Sequence, residues 1–447
     1  MPPHSASLIS QCIWICALSF QYGYNISALN SLSSALSCVG TQSTSWLPAC
    51  FSMDATSFGL VTSIYTIGGL LGSLFTGTIA DKRGRRAACL VGALSIALGG
   101  ALMALAPNFT VLLLGRLIVG LGCGVATVIV PTYLSEIAPP EHKGRIGVLN
   151  QVGIVSGIFT GQCASIALSK QSTWRFVPVI TAGIAALQIL LGGKMKESPV
   201  WLANKAGSLE DTHEDSSSGF QADSDAGVHD RLLADAVAAT DTESGSSRSV
   251  SKPPPQTIWG VLTSPLTRKG LRIVIITQVA QQASGINAVI YYSTDIMKNA
   301  LPTSAAYIAL TITAVNFVMT FPPLYFIDRI GRRPLLLLSV GCMSLFSLIL
   351  AFSINSSPII ASIAVISFVA SFSLGLGPIP FLLIPEVVPS QSAAATGSLG
   401  LTLNWLTNFC VSAVFWPLAV RVGQQNIFIG FAIIAAAATM LIGYVYR

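Results

Sequence analysis

An all-α membrane protein of twelve transmembrane helices, arranged as two pseudo-symmetric six-helix halves, is the fold class this sequence predicts, and three observations predict it. Of 447 residues, 52% are hydrophobic and only 9% are charged, and mean hydropathy is +0.69. Apolar runs of about 20 residues, enough to cross a ~30 Å hydrocarbon core as helix, recur from one end to the other. A short basic turn then occurs twice, as Asp81-Lys82-Arg83-Gly84-Arg85-Arg86 and as Asp328-Arg329-Ile330-Gly331-Arg332-Arg333. Between the copies lies one stretch of quite different composition, which divides the apolar runs six and six.

In chain order the predicted spans are Ile9–Leu29, Ser57–Ile79, Ala88–Ala106, Val111–Leu134, Gly147–Leu168 and Phe176–Gly193. The second set is Leu271–Thr294, Ser304–Ile327, Leu335–Ile354, Ile359–Ile384, Ala394–Pro417 and Asn426–Tyr446. No Lys or Arg precedes Lys82, so the first run lacks the basic flank of a cleaved signal peptide and is expected to stay in the mature chain. The connections after spans 2, 4, 6, 8 and 10, with the C-terminus, hold 19 of the 24 Lys and Arg. The positive-inside rule therefore predicts both termini in the cytosol. The net charge of +6 expresses that bias, so no nucleic-acid partner is called for.

From Gly207 to Pro255 the chain is rich in Ser, Asp, Ala and Gly, holds ten of the eighteen acidic residues, and ends in Pro253-Pro254-Pro255. Such a segment cannot bury enough apolar surface to fold alone. It is read as a disordered acidic, Ser-rich part of a cytosolic linker, residues 197–270, between an N-terminal half (1–196) and a C-terminal half (271–447); it serves as a tether or, through its serines, as a regulatory segment.

The repeat extends beyond the basic turns. Glu136-Ile137-Ala138-Pro139 follows span 4 and Glu386-Val387-Val388-Pro389 follows span 10, 250 residues apart against 247 for the turns. A doubled six-span unit with short basic turns on one face suits a transporter whose halves rock about a central site. Gly84 and Gly331 allow the turns to tighten. Asp81, Arg85, Arg86, Glu136, Asp328, Arg332, Arg333 and Glu386 form a set of charges that can lock the cytosolic ends and so act as gating residues.

These motifs, with Gln21-Tyr22-Gly23-Tyr24-Asn25, Gly115-Arg116-Leu117, Pro131-Thr132-Tyr133-Leu134-Ser135-Glu136, Gln281-Gln282-Ala283-Ser284-Gly285-Ile286-Asn287, Gly377-Pro378-Ile379-Pro380-Phe381 and Asn404-Trp405-Leu406-Thr407-Asn408-Phe409, resemble the sugar porter family of the major facilitator superfamily, which includes the facilitative hexose transporters. The resemblance covers nearly the whole chain outside the linker. It implies a membrane transporter moving a hexose or related monosaccharide by alternating access, in the plasma or vacuolar membrane, with no cofactor. Its partners are the sugar and the lipid bilayer, and no obligate protein partner is evident.

A sugar is a ring of hydroxyls that both donate and accept, so a site for it inside a membrane wants neutral amides, with aromatic rings for its apolar faces. The resemblance implies sugar contacts at Gln151, Gln281, Gln282, Asn287, Asn316 and Trp405, with Phe372 beside the pocket. Gln282 and Asn287 do not share a face of a regular helix, and a distortion at Gly285 is expected to bring them together. Asn25, Gln162 and Asn408 are equally well explained by interhelical hydrogen bonds. Pro378 and Pro380 interrupt span 10, and the resemblance implies a half-helix that bends as the inner gate closes. Tyr291 and Tyr292 belong to the outer gate by the same resemblance.

The departures from the family pattern point at substrate choice. Ser373 stands where the family often has a glutamate, Phe381 at a tryptophan position and Leu376 at the first proline of a doubled Gly-Pro. Lys196-Glu197-Ser198-Pro199-Val200 and Ser390-Gln391-Ser392-Ala393 each lack a usual arginine. Asparagine at 25 replaces the aspartate common in proton-coupled members, which favours a passive uniporter over a proton-coupled symporter, since asparagine cannot titrate. The nine cysteines form no metal pattern, and Cys38 and Cys50 share the first outer loop, where they either pair or stay free. Asn108-Phe109-Thr110 and Asn355-Ser356-Ser357 are glycosylation sequons on that side. A sugar receptor would need a large cytosolic extension. An enzyme would need clustered catalytic groups, whereas His4, His142, His213 and His229 all lie at cytosolic or terminal positions. Both rivals rank below a transporter.

Overall fold

Hydrophobic length and the positions of glycine and proline explain where each helix starts, breaks and stops. The computed structural model describes residues 3–38, 47–53, 55–203, 205–206, 258–298, 304–327 and 329–446. The acidic segment, its serines, His213, His229 and the turn residue Asp328 lie outside the described residues.

The first half consists of Pro3–Ser27, Ala55–Arg83, Arg85–Ala104, Phe109–Ile137, Lys143–Ala167 and Phe176–Gly192, spans 1 to 6. Three spans of the second half are interrupted. Span 7 is Arg268–Ala283 followed by Ile286–Lys298, span 8 is Ala305–Met319 followed by Pro322–Phe326, and span 10 is Pro358–Leu374 followed by Ile379–Val387. Spans 9, 11 and 12 are the unbroken Arg332–Ser353, Ser390–Val422 and Gln424–Val445. Among the described residues, nine helical stretches are long and apolar enough to cross a membrane; the shorter Phe176–Gly192 and Ala305–Met319 and the first helix complete the twelve. One compact unit comprises Met1–Ser198 with Gln256–Arg447, and Pro199–Pro255 forms a second, in which the Lys205 ammonium lies 5.0 Å from the Trp201 ring centre.

The repeat is visible in the backbone. Gly84 and Gly331 precede spans 3 and 9 with φ of 95° and 91°, a left-handed conformation open to glycine, so both copies of the basic turn reverse the chain identically. Spans 2 and 4 approach closely along a glycine seam: a Cβ on Gly68, Gly72, Gly120 or Gly124 would lie about 2 Å from a carbonyl oxygen of the opposite helix.

The ends of the helices define two faces. On the face shared by the chain termini, Arg85 forms a two-pronged ion pair with Glu136 at 2.9 Å and meets Asp81 at 3.2 Å. Glu197 caps span 3, accepting the backbone N–H of Arg85 at 2.8 Å and of Arg86 at 3.1 Å, and the Ser198 hydroxyl donates to Glu136. Glu197 thus places negative charge at a helix N-terminus, where the exposed amides favour it. In the second half Arg332 pairs with Glu386 at 3.1 Å, and Arg333 donates to the Gly443 carbonyl at 3.0 Å. Each of these ion pairs stays within one half.

On the opposite face Cys38 and Cys50 form a disulfide, which decides the alternative the sequence left open. Trp174 donates to the Ala49 carbonyl at 2.7 Å, and Arg175 donates to the carbonyls of Pro48, Ala104 and Ala106, so this first loop is pinned onto the mouth of span 6. The cross-link closes 12 residues of separation. Reduction, or Cys50→Ser, should lower stability by about 3 kcal/mol through loop entropy in the unfolded chain. Thermal unfolding in detergent with and without reductant checks this, and identical midpoints would refute it.

Candidate functional site

Between the two halves, part-way along their helices, lies a small cavity of about 40 Å³ whose mainly apolar wall carries a group of amides. Tyr22, Ile26, Gln151, Ile154 and Ile158 line it from spans 1 and 5. Facing them are Gln281, Gln282, Ile286, Asn287 and Ile290 of span 7, Asn316 of span 8, and Phe372, Gly377 and Phe381 of span 10. At about 10–15 Å³ per water this holds roughly three waters, well below the ~300 Å³ of an open ligand pocket. The cavity is therefore contracted.

Span 7 builds its principal wall. Gly285 has φ of 83° and breaks the helix, and a Cβ there would meet the Phe431 ring at 2.5 Å. The break brings Gln282 and Asn287 together, the Asn287 amide donating to Gln282 Oε1 at 2.7 Å. Gln282 in turn donates to Asn404 Oδ1 at 2.9 Å, and Asn404 donates to Gln281 Oε1 at 2.8 Å and Gln278 Oε1 at 2.9 Å.

Gln281 has a second task. Its amide donates to the carbonyls of Leu376 at 2.8 Å and Gly377 at 3.0 Å, in the break of span 10. In a regular helix the Leu376 carbonyl would receive the N–H of residue 380, but Pro380 has none. The Gln281 side chain supplies the missing donor. Pro378 removes another, and the break is further held by Ser339, whose hydroxyl accepts the Leu376 N–H at 2.9 Å and donates to the Ser371 carbonyl at 2.6 Å. An unbroken amide chain therefore links the cavity wall to the hinge of span 10. Gln278 and Ser339 carry no motif in the sequence, and Asn404 stands only as the first residue of its span 11 motif; the signal available was a doubled proline whose carbonyl partners needed replacement donors.

Of the residues named from sequence, Gln151, Gln281, Gln282, Asn287, Asn316 and Phe372 line the cavity together. Gln151 makes no side-chain hydrogen bond within the described protein, so its amide is available to a ligand. Trp405 is elsewhere. It is buried against Gly69, where a Cβ would stand 2.3 Å from the indole, its N–H donates to Thr127 at 3.2 Å, and Tyr22 and Tyr65 flank it at 5.7 and 6.0 Å. The indole of one half thus fills a slot in the other and is not among the residues that line the cavity.

Toward the disulfide face the halves are sealed. Asn30 donates to Gln162 and to Ser293, both at 2.7 Å, and the Ser31 and Thr294 hydroxyls meet at 3.2 Å. Asn25 donates to Thr181 at 2.9 Å, and Asn408 to the Tyr291 hydroxyl at 3.5 Å. All three amides left ambiguous by sequence serve interhelical bonds. Tyr291 is buried, while the Tyr292 side chain lies outside the described residues. Arg116 is 1% exposed, lies over the Tyr65 ring at 4.3 Å, and has no hydrogen-bond partner among the described residues for any guanidinium nitrogen. Desolvating a charge in this way is costly. Between described residues, no hydrogen bond or ion pair joins the halves on the terminal face.

An amide-bearing cavity where two repeated six-helix bundles meet, sealed on one side, is the layout of an alternating-access membrane carrier. Comparison with known proteins agrees. Residues 11–446 match the family described as sugar (and other) transporter. A probable metabolite transport protein of Saccharomyces cerevisiae is 32% identical over all of this chain and 93% of its own length. The solute carrier family 2 facilitated glucose transporter member 14 of Homo sapiens is 30% identical, covering 98% of this chain and 86% of its own. The xylose transporter XylE from E. coli, in a partially occluded inward-open conformation, shares the fold with a TM-score of 0.73 at 19% identity, over 98% of this chain and 99% of that one. The chain belongs to the sugar (and other) transporter family.

Proposed function

We propose that this protein carries a hexose or a closely related monosaccharide across its membrane by alternating access, as a passive uniporter. The observation that carries the proposal is the cavity's lining: five amides, Gln151, Gln281, Gln282, Asn287 and Asn316, with aromatic walls at Tyr22, Phe372 and Phe381, and no carboxylate among the described residues. Amides both donate and accept, as sugar hydroxyls do, and the rings suit the ring faces of a sugar. The glucose transporter among its relatives supports the same substrate class. Passive operation is supported by Asn25, which cannot titrate and is bonded to Thr181. In this proposal residues 1–196 and 271–447 are the moving halves, 197–270 the tether, and the terminal face is cytosolic, in the plasma or vacuolar membrane; a disulfide on the other face fits that orientation. Saturable uptake of labelled hexose by reconstituted vesicles, accelerated by unlabelled hexose on the far side, tests it. Vesicles no faster than protein-free liposomes would refute it.

The cavity's contraction supports a cycle in which it opens to admit sugar. Opening toward the disulfide face would break the Asn30–Ser293 seal, withdraw Trp405 from its slot and rehydrate Arg116. The terminal-face charges would then hold the other end shut. Exposed ion pairs are individually worth about 0–1 kcal/mol, but a network can bias a two-state equilibrium of a few kcal/mol. Glu136→Gln with Glu386→Gln should therefore increase labelling of a cysteine introduced in the terminal-side cavity, and unchanged labelling would remove these charges from the gate.

A further inference from the structure

We infer that Ser373 is a specificity-determining residue: by holding the Asn316 amide in one orientation, it makes the corner of the cavity between spans 8 and 10 a hydrogen-bond donor that selects a sugar hydroxyl acting as acceptor. The inference rests on the proposal that the cavity takes a hexose. Ser373 is fully buried, and its hydroxyl donates to Asn316 Oδ1 at 2.8 Å. The hydroxyl's other acceptor, the Val369 carbonyl one turn back on the same helix, is farther away at 3.0 Å, so the shorter of its two contacts is the one to Asn316.

With its oxygen engaged behind the wall, Asn316 has two N–H groups left, and no described protein acceptor takes either. Asn316 lines the cavity, so these are the groups it can offer a ligand. The surroundings reinforce the polarity: Phe372, Gly377 and Phe381 beside it bring no side-chain acceptor, and Ser373 brings no charge. A carboxylate at 373 would reverse the corner, because an ionised carboxylate only accepts. An amide free to turn would serve either role. The serine removes that freedom, and a hydroxyl that must accept from Asn316 points its own proton elsewhere, toward Gln151 or Asn287.

Single-position hexose analogues read this directly. At the hydroxyl meeting Asn316, replacement by hydrogen removes the acceptor, whereas replacement by fluorine keeps a weak acceptor and removes only the donor. For the reconstituted full chain, competition against labelled hexose uptake should identify one ring position where the deoxy analogue loses about tenfold in apparent affinity while the fluoro analogue stays within about threefold. In Ser373→Ala that difference should collapse, since the Asn316 amide can then turn. Ser373→Thr, which retains the hydroxyl, should preserve it. A merely structural role for Ser373 would change maximal rate or protein yield without altering the pattern among analogues. Fluoro analogues as poor as deoxy analogues at every position, or an unchanged pattern in Ser373→Ala, would overturn the inference while leaving hexose transport standing. Absence of saturable hexose uptake by the unaltered chain would overturn both.

Discussion

Gly69→Val should abolish most hexose uptake while leaving the protein folded and inserted. A Cβ at Gly69 would stand 2.3 to 2.5 Å from three ring atoms of Trp405, inside any tolerable contact. The indole cannot step aside, because Thr127 holds its N–H and Tyr22 and Tyr65 flank its ring. Span 2 of one half and span 11 of the other would then be held apart. Overpacking of this kind costs about 1–3 kcal/mol, which shifts a conformational equilibrium about 5- to 150-fold away from the sealed form. A cysteine introduced at Ile290, buried in the sealed structure, should become reactive from the disulfide face in the variant. Trp405→Leu placed in the same chain should restore part of the uptake by vacating the slot. Wild-type uptake in Gly69→Val would show that the slot plays no part in the cycle.

Removing the span 7 amides should separate binding from movement. Gln282→Ala or Asn287→Ala removes a group that faces the cavity, and each should raise KM for hexose by a factor of about 5 to 150, the equivalent of about 1–3 kcal/mol for a buried hydroxyl left unpaired. Gln281→Ala should act differently. Its amide supports the Leu376 and Gly377 carbonyls, so its loss orphans the hinge of span 10 and should lower maximal rate more than it raises KM. Initial rates over a range of hexose concentrations distinguish the two. Equal changes in KM for all three variants would mean that Gln281 is simply another sugar contact.

Much of this was legible in the chain because membrane spans leave strong one-dimensional signals. Twelve apolar runs, two basic turns in register and a Gly285 between two amides each map to a helix, a repeated turn and a break. The Gln282–Asn287 pairing was readable for the same reason, since no regular helix joins residues five apart and glycine marks where regularity ends. The partner of a side chain across the bundle leaves no such mark. Trp405 in its motif reads as a sugar contact, and its seat against the bare Cα of Gly69, far away in sequence, is visible only when spans 2 and 11 lie side by side. Gln281 has a second set of partners that its motif does not display. That it lines the cavity followed from the motif, but that Pro380 leaves a carbonyl for it to satisfy required spans 7 and 10 to be seen side by side. The disulfide was a choice between two states that sequence spacing could not make. Nor did the charge motifs reveal that Glu197 caps span 3, because a carboxylate's service to backbone amides depends on where a distant turn ends.

The account turns on passive movement of hexose through the amide cavity, and uptake by sealed proteoliposomes under an imposed inward proton gradient tests it most directly. With Asn25 in place of a titratable group and no carboxylate among the described residues that line the cavity, labelled hexose should enter saturably and level off at the outside concentration, at the same plateau with or without the gradient. Entry should slow sharply in Asn287→Ala at limiting hexose. Accumulation above the outside concentration, collapsing when an uncoupler is added, would contradict the account.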